Sequence, residues 1–147
     1  MIVLLAVLVV ATGLGLLLRR ANGHFRGAAS VPYDGRPAEG RGSADSGCTP
    51  VDVPGVLGER GTLLQFSSAF CAPCRSTRRT LSEVAAMVPG VTHLEVDAEA
   101  NLDLVRRLEV MRTPTTFVLD AEGLVVTRAS GAPRKADVIA ALGRVIG

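Results

Sequence analysis

Residues 62–74 have the sequence TLLQFSSAFCAPC, in which an apolar segment is followed directly by two cysteines three residues apart. Its first part is short and apolar, as expected for a strand buried in a sheet. Its end, Cys71-Ala72-Pro73-Cys74, opens a segment with helical spacing. Proline favours the first turn of a helix, where its missing N–H has no partner to lose. The stretch therefore predicts a strand that leads directly into a helix, with two cysteines at the junction.

The spacing of these cysteines predicts a redox pair. A Cys-x-x-Cys motif beside a βαβ pattern is typical of a redox-active disulfide. Two cysteines three residues apart at a helix start place both sulfurs on one face, close enough to form a disulfide. Cys71 would lie at the helix amino terminus, where free N–H groups and the helix dipole stabilise a thiolate. Cys74, one turn further in, is expected to be more buried and less reactive.

The sequence after the motif predicts a compact series of alternating elements. Apolar residues recur at helical spacing until Pro89-Gly90, and later segments alternate as strands or repeat as short helices. The predicted elements are a strand over 62–66, the helix after it, a strand over 91–96, a helix over 101–109 with Leu102, Val105 and Leu108 inward, a hairpin of 115–119 and 124–129, and a last helix with Val138, Leu142 and Val145 inward. The order βαβαββα predicts an α/β fold, a small mixed sheet flanked by helices.

The first eighteen residues, MIVLLAVLVVATGLGLLL, contain no charged side chain. As a helix they would span about 27 Å, which predicts a single N-terminal transmembrane helix over residues 1–18. A cleaved signal peptide would have a basic start and a shorter apolar run, and a buried core helix would have a polar face. Because Arg19, Arg20 and Arg26 all follow the apolar run, the positive-inside rule predicts a cytoplasmic location for the rest of the chain. The extracytoplasmic side is the alternative.

A change of composition marks the next two segments. Residues 19–60 are rich in Gly and Pro and show no regular period, which predicts a flexible linker between the anchor and a domain over 61–147. Residues 51–57 could form a short edge strand, although Pro54 weakens that pattern. Cys48 lies in this linker as an unpaired thiol whose role the sequence leaves open.

Composition and charge exclude several classes of protein. The chain has 147 residues, of which 48% are hydrophobic and 20% are charged, so it is not disordered throughout. A net charge of +2 is too small for nucleic acid to be the main partner. Three cysteines are too few for a disulfide-stapled scaffold. A zinc site needs four ligands, and the remaining candidates, Cys48, His24 and His93, do not form a second close pair, so no metal is expected.

The segment from about Gly61 to Gly147 resembles the thioredoxin family. The features that carry the resemblance are the strand TLLQFSSAF, the motif Cys71-Ala72-Pro73-Cys74, Asp97 after the next strand, Thr113-Pro114-Thr115, Gly123 and Gly131. The resemblance implies a thioredoxin-like fold in which Pro114 is cis and lies against the cysteine pair. It also implies no cofactor other than the Cys71–Cys74 disulfide. The site residues it implies are catalytic Cys71 and Cys74, with Phe70, Ala72, Pro73, Thr113 and Pro114 contacting the substrate.

The chain departs from the family pattern near the motif. Phe70 stands where the family usually has Trp, and Gln65 stands where it usually has a buried Asp. The Lys that often partners this Asp is matched by His93, which is expected to be a packed histidine. Because Gln65 cannot titrate, deprotonation of Cys74 is expected to rely on water or on a neighbouring group. Arg75 is expected either to lie on a solvated helix face or to lower the pKa of the Cys71 thiol.

These observations predict a membrane-tethered thiol–disulfide oxidoreductase that reduces disulfides in partner proteins through Cys71 and Cys74. The chain contains no nucleotide-binding fingerprint, so its electrons are expected from a reductase or from a small thiol. One alternative is an extracytoplasmic thiol–disulfide exchange protein, acting in cytochrome maturation or disulfide handling. The other is a thioredoxin-fold binding module without turnover, which the intact cysteine pair disfavours.

Overall fold

A computed structural model of the protein describes residues 2–21, 25–27 and 50–146. The described part contains four helices and five strands. In chain order they are α1 (Ile2–Ala21), β1 (Phe25–Gly27), β2 (Gly61–Ser67), α2 (Ala72–Met87), β3 (Val91–Asp97), α3 (Leu102–Arg107), β4 (Thr115–Leu119), β5 (Val125–Ser130) and α4 (Lys135–Ile146).

The five strands form one mixed sheet in the order β1-β5-β4-β2-β3. Strand β2 pairs in parallel with β3 and antiparallel with β4, and β5 pairs antiparallel with both β4 and β1. The parallel pair is connected by α2, as a crossover between parallel strands requires. Every residue of β2 is buried, because this strand has neighbours on both edges and packed layers on both faces.

Two apolar layers enclose the sheet. One lies under α3, where Leu104 and Leu108 pack with Phe66 and Phe117, whose rings meet edge to face at 5.8 Å. The other lies between the sheet and helices α2 and α4, and its buried members are Leu63, Leu81, Val84, Val118, Val138, Ala141 and Leu142. Helices on both faces of a small mixed sheet confirm the predicted α/β architecture.

The order from β2 to α4 is βαβαββα, as the sequence predicts, and β4 has the predicted bounds. The predicted inner face of α3 is wrong at its first position. Leu102 is 52% exposed, whereas Leu104 and Leu108 are buried. The helix begins at Leu102, so the two residues four apart that face the sheet are Leu104 and Leu108.

Residues within the predicted linker take part in the sheet and the core. Strand β1 pairs with β5 through the register Phe25–Ala129 to Gly27–Thr127. Val51 is buried, and its N–H donates to the carbonyl oxygen of Gly123 at 2.9 Å. The edge strand considered for residues 51–57 is wrong, since the structure assigns no strand to them. Cys48 lies outside the described residues.

No helix in the described ranges combines the length and the apolar character needed to cross a membrane. The transmembrane helix predicted over residues 1–18 is therefore not supported.

Truncation of Phe117 tests whether the sheet core is essential. Phe117 lies in β4 and is fully buried against α3, so we expect Phe117→Ala to lower the free energy of unfolding by about 3–5 kcal/mol. Urea denaturation followed by circular dichroism measures this change. The same substitution at Phe70, which is 99% exposed, is the matched control and should change stability little. Equal losses of unfolding free energy for the two variants would contradict the burial of Phe117 in the core.

Candidate active site

The cysteine motif lies at the carboxyl end of β2, where the chain turns into α2. Cys71 is the N-cap residue of α2, with extended backbone angles (φ −90°, ψ 94°), and its N–H donates to the carbonyl oxygen of Ser68 at 3.2 Å. Pro73 occupies the first helical turn. The strand-to-helix junction and the position of Cys71 at the helix start, both predicted from the sequence, are confirmed.

Cys71 and Cys74 are joined by a disulfide, with their Cα atoms 5.3 Å apart. The two sulfurs differ in access, because Cys71 is only partly buried whereas Cys74 is 2% exposed. An attacking thiolate in a second protein can therefore reach Cys71 and not Cys74. This asymmetry is the arrangement expected of one exchanging and one resolving cysteine.

A second loop lies beside the motif. The Thr113–Pro114 peptide bond is cis, as the resemblance implies, and Pro114 is buried. Gly131, whose φ of +93° suits a residue without a Cβ, donates its N–H to the Pro114 carbonyl oxygen at 2.7 Å. The hydroxyls of Ser68 and Thr113 lie 3.0 Å apart in a hydrogen bond. This bond connects the cis-proline loop to the loop that carries Cys71.

Several exposed apolar side chains lie beside the disulfide in the chain. Phe70, directly before Cys71, is 99% exposed, and Ala72 and Pro73 are also exposed. Met111, three residues before Pro114 in the sequence, is 90% exposed. The sequence pattern did not predict this exposure. Large apolar side chains held in solvent next to a reactive group are typical of a surface that binds another protein.

Beneath the disulfide, Gln65 occupies the buried position that the family usually gives to Asp. Its Nε2 donates to the Cys74 carbonyl oxygen at 3.1 Å, and its Oε1 lies 3.2 Å from His93 Nε2. The Ser82 hydroxyl lies 3.0 Å from His93 Nδ1. His93 is thus a half-buried, hydrogen-bonded residue that is connected to the Cys74 carbonyl oxygen through the side-chain amide of Gln65.

The hydrogen bonds also fix the tautomer of the imidazole. Because the Gln65 amide nitrogen is used as a donor to Cys74, the amide oxygen must accept, so His93 Nε2 carries a proton. Nδ1 is then free to accept from the Ser82 hydroxyl in the neutral ring. Burial lowers the pKa of His93, more than the neighbouring carboxylate of Glu95 raises it. The ring is therefore neutral near pH 7.

An ion pair forms the wall beside this network. The Glu95 carboxylate accepts hydrogen bonds from the Ser67 hydroxyl and from Arg78 Nη2, each at 2.7 Å, and Arg78 Nε contacts its other oxygen. Burial favours the neutral carboxyl, but the bonds from Arg78 and Ser67 outweigh it and lower the pKa of Glu95. Sequence reasoning missed Glu95. The signal was the polar alternation of His93, Glu95 and Asp97 along a predicted strand.

The ion pair and the cysteines share one open cleft of about 640 Å³. Its lining residues are Ser67, Ser68, Ala69, Phe70, Cys71, Ala72, Cys74, Arg75, Arg78, Glu95 and Asp97. The cleft brings together both cysteines, two guanidinium groups and two carboxylates. Among the residues that the structure describes, no three His, Cys, Asp or Glu side chains are grouped to hold a metal ion. The candidate ligands Cys48 and His24 lie outside the described residues.

The sequence profile of the thioredoxin family matches residues 56–144, more than half of the chain. The chain belongs to the thioredoxin family. It is 33% identical over 88 residues to a thioredoxin of Mycolicibacterium smegmatis, a match that covers 57% of this chain and 78% of the relative. It is 31% identical over 72 residues to the thioredoxin H-type of Ricinus communis, covering 49% of this chain and 60% of that protein's length.

A solved structure agrees with the fold. Fasciola hepatica thioredoxin superposes with a TM-score of 0.53 at 25% identity, covering 60% of this chain and 83% of that one. Family membership and the Cys71–Cys74 pair together support thiol–disulfide oxidoreductase chemistry. Thioredoxins use no cofactor beyond their redox-active disulfide, which this chain retains.

Removal of His93 tests its buried, neutral state. Since burial lowers the pKa of His93 in the folded protein, the unfolded chain binds a proton first as the pH falls below about 6.5. The stability gained by burying the neutral His93 ring is therefore complete above that pH. It is lost as the pH falls towards the lower pKa that His93 has in the folded protein. We expect His93→Gln to flatten the decline of unfolding free energy between pH 7 and pH 5, measured by urea denaturation.

The control is Ser82→Ala, which removes the hydroxyl at Nδ1 but keeps the titrating ring, and it should retain the decline. A His93→Gln variant with the same pH dependence as the unmodified protein would show that His93 titrates normally in the fold.

Proposed function

We propose that the protein is a thiol–disulfide oxidoreductase that reduces disulfides in partner proteins. The observation that carries the proposal is the disulfide at the start of α2, in which Cys71 is accessible and Cys74 is buried. A helix amino terminus stabilises a thiolate, so the accessible cysteine is the better nucleophile. Cys71 and Cys74 are the catalytic residues of this proposal.

The proposed exchange proceeds in two steps. The Cys71 thiolate attacks one sulfur of the partner's disulfide, forming a mixed disulfide and releasing the other partner sulfur as a thiolate. Cys74, deprotonated, then attacks Cys71, and the partner leaves with its second thiol. Two electrons pass from the Cys71–Cys74 dithiol to the partner, and the protons of the two protein thiols end on the partner's sulfurs. The protein is left with the disulfide seen in the structure.

The loops around the disulfide suit an extended substrate segment. The backbone of Thr113, next to the cis bond, is proposed to pair with the substrate chain, and Pro114 shapes the groove beside it. Phe70, Ala72 and Pro73 supply the exposed apolar contact surface. Hydrogen bonds to the substrate main chain depend little on the substrate sequence. The side chains of Phe70, Ala72 and Pro73 would therefore supply the preference for an apolar residue next to the attacked cysteine of the substrate.

The cycle needs an external reductant to restore the dithiol. We propose that this is the dithiol of a reductase protein or a small thiol, since either can attack the accessible Cys71 sulfur. Reduction of partners is the direction expected on the cytoplasmic side, where thiols are kept reduced. On the extracytoplasmic side, the same pair would take part in disulfide handling instead. A binding module without turnover would not need both cysteines.

Serine substitutions test the division of roles. We expect Cys71→Ser to abolish dithiothreitol-dependent insulin reduction, because the accessible nucleophile is lost, whereas Cys74→Ser should accumulate a mixed disulfide with its substrate. Turbidity measures the first effect, and non-reducing electrophoresis with mass spectrometry measures the second. Cys48→Ser is the matched control and should retain activity. Full activity in Cys71→Ser would rule out the proposed exchange.

We propose that α1 attaches the protein to a membrane, with the thioredoxin domain on the cytoplasmic side. The described side chains of α1 over residues 3–17 are all exposed and none is charged. Exposed apolar side chains around a whole helix are unfavourable in water and favour an apolar partner such as lipid. Three arginines, Arg19, Arg20 and Arg26, follow the apolar run and favour the negatively charged cytoplasmic leaflet.

Charge insertion in α1 tests this attachment. We expect the full-length protein to sediment with membranes, and Val7→Asp with Val10→Asp to release it, because both side chains are exposed on the helix. Val56→Asp, at a position 82% exposed, is the control and should leave the distribution unchanged. Extraction with salt or alkaline carbonate distinguishes surface attachment from insertion.

The side of the membrane is tested by thiol labelling in intact cells. We expect a membrane-impermeant maleimide to label Cys48 or reduced Cys71 only after lysis. Labelling before lysis would place the domain on the extracytoplasmic side, and with it the disulfide-handling alternative.

A further inference from the structure

One face of α2 carries the exchanging cysteine and two arginines. Cys71, Arg75 and Arg78 are spaced by four and three residues, so they lie above one another on the helix. All three line the same open cleft. A guanidinium is always charged in proteins, so this face brings two permanent positive charges to the side of the disulfide.

The two arginines differ in their partners. Arg78 is bound by the Glu95 carboxylate through two contacts, and the Ser67 hydroxyl holds that carboxylate from the other strand. Arg75 is exposed and forms no ion pair with a described residue. The charge of Arg78 is therefore neutralised locally, whereas the charge of Arg75 is not.

The remaining charges around the ion pair are few. Asp97, on the same strand as Glu95, also lines the cleft, and one of its oxygens accepts the Glu99 N–H at 2.9 Å. His93 lies on the same face of that strand and faces Gln65 and Ser82, where it is neutral near pH 7. Arg78 and Glu95 thus form an ion pair in the cleft, and replacing either residue by a neutral one leaves the charge of the other without its partner.

We propose that Glu95 is a positioning residue that holds and neutralises Arg78 beside the disulfide, and so sets the equilibrium between the Cys71–Cys74 disulfide and its dithiol. In equilibrium with dithiothreitol, the disulfide takes up two electrons as dithiothreitol is oxidised to its own disulfide. Cys74 takes up one proton, and Cys71 carries a negative charge when its thiol is ionised. The disulfide itself is uncharged. A change in the local charge therefore acts on the reduced form alone.

Because only the reduced form carries charge, each substitution is expected to shift the equilibrium between disulfide and dithiol in a defined direction. Without the Glu95 carboxylate, the positive charge of Arg78 is unbalanced and stabilises the Cys71 thiolate, so the pKa of that thiol falls and the dithiol is favoured. Without Arg78, the carboxylate is unbalanced, the thiol pKa rises and the disulfide is favoured. The inference rests on the proposed redox function, but it adds a residue outside the cysteine motif and the cis-proline loop.

The test uses the full-length variants Glu95→Gln, Arg78→Gln and the double variant. Each is equilibrated in a redox buffer of reduced and oxidised dithiothreitol, and the thiolate of the reduced protein is titrated by absorbance at 240 nm. We expect Glu95→Gln to shift the equilibrium about three- to tenfold towards the dithiol, or about 14 to 30 mV at 29.6 mV per tenfold. Arg78→Gln should shift it in the opposite direction.

The double variant separates charge from structure. With both groups neutral, we expect its equilibrium and its Cys71 pKa to return to within about twofold of the unmodified protein. A purely structural role would make the double variant at least as perturbed as either single variant. Glu83→Gln, which breaks the ion pair between α2 and Lys135 outside the cleft, is the matched control and should shift neither quantity.

The experiment distinguishes failure of the proposed role of Glu95 from failure of the proposed redox function. If the unmodified protein has no reversible disulfide, the proposed function fails before the variants are compared. If it cycles normally while both single variants leave the equilibrium unchanged or move it in the same direction, the role of Glu95 is overturned. Circular dichroism of each variant shows whether it is folded, and the opposite signs of the single variants cannot arise from partial unfolding.

Discussion

Strand β2 is buried on both faces and paired along both edges, and this burial positions the helices and loops that form the active site. This strand is parallel to β3 and antiparallel to β4, so it fixes α2 on one side and the cis-proline loop on the other. Its carboxyl end delivers Cys71 to the start of α2, and Ser68 joins that point to Thr113. The active site is therefore positioned by sheet pairing, while its loops remain open to solvent.

Much of this arrangement could be predicted because it is local in the sequence. Periodicity gave the elements from β2 to α4, and the proline in the first turn placed the start of α2. The family resemblance implied the cis bond before Pro114, which the structure contains. These predictions depend on residues close together in the chain, or on a motif whose two halves have a fixed relation. Neither requires knowledge of which surfaces meet.

The features that sequence reasoning missed are set by distant contacts. Strand β1 has three residues and too short a pattern to be recognised, and it exists through its pairing with β5 more than ninety residues later. The pairing of Glu95 with Arg78 joins a strand to a helix, and neither residue is near the other in sequence. At Leu102, periodicity failed because it does not specify where a short helix begins. In each case, tertiary packing selected one of several local possibilities.

The substitution of Gln65 for a buried carboxylate changes where charge lies relative to the disulfide. Beneath Cys74 there is now a neutral network, in which an amide connects the cysteine's carbonyl to an uncharged imidazole. Charge is instead concentrated on the cleft wall, where Glu95 and Arg78 are partly solvated and hold each other. A buried charged group needs a partner of opposite charge, or it becomes neutral. An ion pair on the partly solvated wall of the cleft stays charged with a smaller desolvation penalty. The site thus keeps an electrostatic influence on its thiols without an ionised group in its core.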